Sequence, residues 1–344
     1  MSRILSRSIG AGSLGLVIDG ASTTTYGTQP SSGDHIQWLR VGEVSITEQA
    51  NSLLVDDLAG TGSGVEGARF VSSNSASGSI RGAATLVESG AVFAWALGGT
   101  PASTGAGPYT HTYPVGVDSP WRSAFMVYGA ADGTSLQDEW RCLQLDSITI
   151  DFGADAIAYF TANVTGAAAS RSSTYQLGVA ATETPAAATM AAAEPILGSL
   201  SGALSWGGNT IAARTASLTV TRPLDRATDF GAAIPGEGVL SSPIGVELSV
   251  TRAADLADSA IIRAALMAGT SGDLSLGFTT GTKSLTVYLE NAVIISRSAP
   301  FTSGGALVET VVFRAQALGL GDYGAKIVVV NAASAAVTSN GTMA

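Results

Sequence analysis

His35 and His111 are the only histidines and Cys142 is the only cysteine in 344 residues. Two imidazoles this far apart lack the spacing of metal ligands, so a His-rich metal site is excluded. A Ser-His-Asp arrangement would need one of them as its base, and no G-x-S-x-G elbow accompanies them. The stretch "GAGSLG" at 10–15 has glycine-rich dinucleotide-loop spacing, with Asp34 about 20 residues further on where a ribose-binding acid would stand. No convincing strand precedes it, and "LVIDGASTTTYGTQP" cannot supply the helix whose N-terminus would hold a pyrophosphate. Asp56 and Asp57 lack the alternating spacing and the distal glutamate of a calcium loop. The sequons at Asn163 and Asn340 mean little without secretion. The residues therefore predict no catalytic centre, no cofactor and no metal.

The elements around these residues are of another kind. In "LDSITIDFGADAIAYFTANVTG", residues 145–166, two runs of alternating apolar and polar residues flank a corner of glycine and alanine, a hairpin signature. Similar alternation runs through "WLRVGEVSITE", "PWRSAFMVYG", "KSLTVYLENAVIIS" and "GALVETVVFRAQAL". Two segments break the pattern towards helical spacing. One is "TLVESGAVFAWALGG", where Thr85 and Glu88 suggest a capping box and Gly98 a stop; the other is "RAADLADSAIIRAALMAG", stopping on Gly269.

Charge and composition narrow the class further. The net charge is −10, and 15 of the 17 basic residues are scattered arginines, which argues against a phosphate-binding surface and suits protein contacts. A single cysteine fits a reducing compartment or a particle assembled from cytoplasmic subunits. The N-terminal stretch has no signal-peptide pattern and no apolar run approaches membrane-helix length, so a soluble protein is expected.

The order strand, long loop, strand, helix ending in glycine, then several strands occurs twice. In this reading "ASLTVTR" (216–222) plays the part of "GEVSITE" (42–48). The long polar loops at 53–75 and 223–243 recur with it.

"GSIRGAATLVESGAVFAWALGG" followed by "PYTHTYP", "LDSITIDFGADAIAYFTANVTGAA", "ALSWGGNTIAARTASLTVTR" and "LVETVVFRAQAL" resemble the tail tube (major tail) proteins of long-tailed bacteriophages, over roughly residues 38–320. The resemblance implies a mainly β fold of two tandem tail-tube-like β-sandwich domains, each with one flanking α-helix. The expected limits are an extended arm at 1–36, a first tube domain at 37–168, an Ala/Ser-rich linker at 169–195, a second tube domain at 196–320 and a tail at 321–344. It also implies a structural virion protein, assembled in the host cytoplasm, whose inner sheets join those of its neighbours into stacked rings. Its partners would be further copies of itself and the tail terminator, tape measure and tail-tip proteins, with DNA passing through the lumen without specific binding and no membrane involved. A secreted or surface adhesin or fibre module is the alternative, and an outer-membrane barrel a weaker one.

About four inner strands per domain give one chain about eight, which would close into a barrel filled by its own side chains. Three chains would bring about 24 strands and leave a bore of roughly 38 Å, wide enough for a duplex. A trimer of pseudo-sixfold symmetry is thus expected, with six chains the alternative if only one half faces the lumen. The candidate lumen acids are Asp146, Asp151, Glu290 and Glu309, in or beside the closing hairpins. Candidate ring-stacking residues lie in the two long loops: Leu53, Leu54, Val55, Asp56, Asp57, Arg226 and Asp229.

Overall fold

Alternation becomes sheet almost everywhere the sequence carries it. The computed structural model describes residues 13–19, 35–39, 41–54, 69–86, 88–129, 135–153, 156–172, 203–227, 236–254, 256–299, 308–317 and 324–331. The first half contains β1 (Ser13–Asp19), β2 (His35–Leu39), β3 (Val41–Leu54), β4 (Arg69–Ala83), α1 (Ser89–Leu97), β5 (Ala102–Thr104), β6 (Tyr109–Pro114), β7 (Trp121–Gly129), β8 (Ser135–Gly153) and β9 (Tyr159–Ser172). The second contains β10 (Ala203–Trp206), β11 (Asn209–Ile211), β12 (Thr215–Thr221), β13 (Leu224–Asp225), β14 (Val239–Leu240), β15 (Gly245–Ala253), α2 (Leu256–Ala268), β16 (Ser271–Thr280), β17 (Lys283–Ser298), β18 (Val308–Arg314) and β19 (Ala325–Asn331).

The strand partners recur as the sequence order does. β2, β1, β7, β8, β9, β4 and β3 are joined in that order by antiparallel ladders. β11, β10, β16, β17, β18, β15 and β12 are joined in the same way. Even the irregularities coincide. Cys142 in β8 and Asn291 in β17 both have φ of 50°, a left-handed conformation uncommon outside glycine. Four residues beyond each lies a register shift, at Asp146 against β9 and at Ile295 against β18. The strand leading into each helix carries the same signature, "AATLVES" at 83–89 and "AADLADS" at 253–259.

The two repeats do not form separate sheets. β8 pairs with β9 on one side and with β12 of the second repeat on the other, Ser147 lying opposite Thr221 and Gly153 opposite Thr215. β6 pairs with β19 in a second join. Seventeen strands consequently form one sheet system. The core lies between its layers, where Trp206 of β10 meets Phe313 of β18 at 5.8 Å and Phe152 of β8 stacks on Phe278 of β16 at 4.6 Å.

The helices differ in what covers them. All nine residues of α1 are buried, as expected of a helix apolar all round. α2 buries Ile262 and Ala265 but leaves Ile261 and Met267 exposed. Gly98 (φ 67°) and Gly269 (φ 63°) supply the left-handed turns that stop them. The capping box forms differently from the sequence expectation. Thr85 N–H donates to Ser89 Oγ (2.8 Å) and Ser89 N–H to Thr85 Oγ1 (3.3 Å), so the reciprocal partner is Ser89 and not Glu88.

Three segments depart from their expected roles. Ser13–Asp19, placed in an extended arm, is strand β1, with Leu14 and Leu16 fully buried. Ala325–Asn331, placed in a tail, is β19, wedged between β17 and β6. Leu53 and Leu54, placed in a loop, close β3 opposite Phe70 and Arg69, so the 53–75 loop is a hairpin extension at both ends. Residues 173–195 of the linker lie outside the described residues.

Candidate functional site

A continuous run of eight strands dominates one side of the molecule: β3-β4-β9-β8-β12-β15-β18-β17, the last by its C-terminal end. Residues directly opposed in an antiparallel ladder share a face, so the registers fix which side chains line it. On one face lie Ser45 and Thr47 of β3, Ser77 and Ser79 of β4, Thr161 of β9, Ser147 and Thr149 of β8, Ser217 and Thr219 of β12, and Ser249 and Thr251 of β15. The opposite face carries Ile148, Ile150, Leu218, Val220, Leu248 and Val250, all buried. The hydroxyls partner one another along the sheet: Thr149 with Thr219 at 3.5 Å and Thr251 with Thr310 at 3.4 Å. Short hydroxylated side chains therefore make up most of this wall.

Charges on this face are few and partly spent. Arg314 is ion-paired with Glu247, and the Arg81 guanidinium sits 5.1 Å over the Tyr159 ring. Asp151 is exposed there and accepts a 2.7 Å hydrogen bond from Ser217 Oγ across the β8–β12 join. Asp146 stands at the β8 bulge beside the face, accepting from Thr165 Oγ1 (2.6 Å) and ion-paired with Arg226 (2.9 Å).

The other two candidate acids lie elsewhere. Glu290 sits where β17 bends and is bonded to Lys326 of β19 at 2.8 Å. Glu309 is fully buried on the helix-facing side, held by Arg252 (3.2 Å) and Arg297 (2.7 Å). It shares its alternation phase with Val311 and Phe313, a sequence signal that already places it on the core face.

The stacking candidates also divide. Arg226 is turned inward to Asp146, within the join between the repeats. Val55, Asp56, Asp57 and Asp229 lie outside the described residues.

Sequence reasoning did not find Arg222, which anchors that join. The residue follows β12 and is 2% exposed. Its Nη1 donates to the carbonyls of Ala96 and Leu97 at the C-terminus of α1, both at 3.0 Å, and its Nη2 to those of Gly116 and Asp118. Burial lowers its pKa to about 10, with the Asp118 carboxylate opposing that shift, so it remains a cation at neutral pH beside the negative end of the helix dipole. Gln144 of β8 completes the join by donating to Gly238 O (3.0 Å) and accepting from Gly238 N–H (2.7 Å).

The histidine chemistry is also settled by geometry. His111 is 1% exposed and bridges Ser103 Oγ (2.9 Å) and Asn331 Oδ1 (3.0 Å), tying β5, β6 and β19 together. His35 opens β2, opposite Asp19. Among the described residues no group of three or more His, Cys, Asp or Glu side chains is placed to hold a metal ion. No described helix is long and apolar enough to cross a membrane.

The family model for the phage tail tube protein matches residues 17–317, most of the chain. The chain belongs to the phage tail tube family. No curated protein matches it. The family is a structural one, of the virion tail.

Proposed function

We propose that this tail tube protein assembles into stacked three-chain rings whose lumen, lined by the hydroxylated face of the eight-stranded run, conducts the genome. The β8–β12 join carries this reading, because it shows the edge of one repeat completing the edge of the next by backbone hydrogen bonds. A sheet that already continues from repeat to repeat needs only the same join between chains to close.

Strand number supports three chains. One chain supplies eight inner strands, and eight close only into a barrel that side chains fill. Three chains give about 24 strands, a circumference of about 150 Å at a tilt near 40°, and a bore of roughly 38 Å after side chains. Duplex DNA fits that bore. The wall would present hydroxyls and the Asp151 carboxylate rather than clustered cations, so phosphates would slide and not bind. Glu309, buried against Arg252 and Arg297, has no part in this lumen.

In this reading the ends of the tube meet the terminator, tape measure and tail-tip proteins of the same virion, and the rings form in the host cytoplasm. Negative-stain electron microscopy of the protein expressed alone, with a mass measurement of the soluble fraction, tests it. Hollow rings or tubes built from three-chain units are expected. A chain that stays monomeric at high concentration, even with tail-tip components added, would overturn it.

A further inference from the structure

The join between the repeats serves as a template for a second, equivalent one, because both of its edges occur again at the two ends of the eight-stranded run. Equivalent residues follow from the fold. Cys142 matches Asn291 by backbone conformation and Asp146 matches Ile295 by register shift, so Ser147, Ile148 and Thr149 of β8 match Ser296, Arg297 and Ser298 of β17. The "AATLVES" and "AADLADS" segments match Ile80 with Val250, and their partners Val44 and Ala216 then match as well. Thr47, Glu48 and Gln49 of β3 consequently match Thr219, Val220 and Thr221 of β12. Two independent routes agree at one point: Ile148 and Ile80 both face Ala162, and their counterparts Arg297 and Val250 both face Val311.

β12 and β8 cover each other's edges. Their counterparts have no such cover among the described residues: β3 pairs only with β4, and β17 beyond Val293 only with β18. The consequence is visible in burial. Leu218 and Val220 are each 1% exposed in β12, whereas Ile46 is half-buried and Glu48 exposed in β3.

Resting on the tube reading above, we infer that the C-terminal end of β17 pairs antiparallel with β3 of a second copy of this chain, with Ser296 opposite Gln49, Arg297 opposite Glu48 and Ser298 opposite Thr47. The register is that of β8 on β12, where Ser147 faces Thr221, Ile148 faces Val220 and Thr149 faces Thr219.

The two joins differ most at their central pair. The apolar pair Ile148–Val220 inside the chain becomes a cation–anion pair, Arg297–Glu48, between chains. Both side chains lie on the helix-facing side: Arg297 reaches the buried Glu309 and Glu48 accepts from the buried Trp140 indole at 3.1 Å. Opposite charges directly across a ladder stabilise it, and like charges oppose it. Self-pairing of β17 with β17, or β3 with β3, gains nothing from this complement. An Arg297 placed against Val220 would have no anion across the ladder, so the mixed pairing selects a head-to-tail contact, the kind that generates rings.

Paired cysteines on the hydroxylated face test the register. At the internal join the equivalent Thr149 and Thr219 hydroxyls lie 3.5 Å apart, and the native Cys142 is buried. The full-length variant carrying Thr47→Cys and Ser298→Cys is oxidised and run on a non-reducing gel. Disulfide-linked dimers and closed trimers are expected, lost on reduction and absent from either single variant. A Thr47→Cys, Ser296→Cys variant, one step out of register on the same face, should not link. Linkage in a single variant, or equal linkage in the out-of-register pair, overturns the proposal. Electron microscopy of the same samples separates the two readings: tubes without the expected link refute this register alone, whereas neither tubes nor links refute the tube as well.

Discussion

The Nη1 of Arg222, from the second repeat, lies 3.0 Å from the carbonyl oxygen of Leu97 at the end of α1 in the first. One guanidinium thus does two things: it satisfies the carbonyls that every helix leaves open at its C-terminus, and it fastens β12 to the helix of the other repeat. Arg222→Ala takes a donor from the Ala96, Gly116 and Asp118 carbonyls and leaves the Leu97 carbonyl with the Gly116 N–H. A loss of about 2–4 kcal/mol is expected, read as a lower urea midpoint with little change in slope. Arg222→Lys recovers only part of it, because an ammonium cannot span the two pairs of carbonyls that the planar fork reaches.

Glu309 makes an opposite case. It is a buried anion whose neighbours Arg252 and Arg297 are themselves 1% and 21% exposed at the side chain. Removing the carboxylate in Glu309→Ala leaves Arg297 without its anion and Arg252 with Asp258 alone, and about 3–5 kcal/mol of stability should be lost. Thermal unfolding of the variant measures it. A lumen-facing acid would show no such effect, so unchanged stability would return Glu309 to the solvent side.

Gly78 of β4 lies against the β3 backbone so closely that a Cβ there would collide with the Ser45 carbonyl and the Ile46 Cα. Gly78→Ala must therefore push the edge strand out of its ladder. Tubes or rings should fail to form while the second repeat keeps its fold. Amide hydrogen exchange checks this, with protection lost across β3 and β4 but retained in β15 and β18.

Much of the element order was legible in the sequence, including both helices and their stopping glycines, because periodicities of 2 and 3.6 are local signals, but β1 and β19 fell in the expected arm and tail. Register was not. Matching "ASLTVTR" to "GEVSITE" displaces the repeats by two residues from the alignment that the ladders impose, in which Ser45-Ile46-Thr47 matches Ser217-Leu218-Thr219. A shift of two preserves the alternation of faces, so the pattern cannot detect it; only a shift of one inverts every side chain. The β8–β12 join was invisible for a related reason, since nothing in either strand names its second neighbour. The phase of Glu309 was legible, but its neighbourhood in a hairpin outweighed its parity with Val311 and Phe313. Arg222 carried no signal, because a helix's open carbonyls can be met by any donor that the tertiary fold delivers.

Asp151 is an exposed carboxylate on the proposed lumen wall, bonded to a hydroxyl across the join. Replacing it with lysine, Asp151→Lys, places a cation once per chain, so every ring of the tube gains a circle of positive charge facing the DNA. Folding and tube formation should be unaffected, because the side chain lies on the solvated face and its partner is the hydroxyl of Ser217. Ejection should slow, since each ring now holds phosphates that previously slid past. The effect must be electrostatic to count. At about 1 M salt, where the Debye length falls to roughly 3 Å, the variant should eject at the rate of the parent, whereas a narrowed bore would remain slow at any salt. DNA release timed from virions carrying either form, at low and high salt, separates these outcomes, and equal rates at low salt would remove Asp151 from the wall.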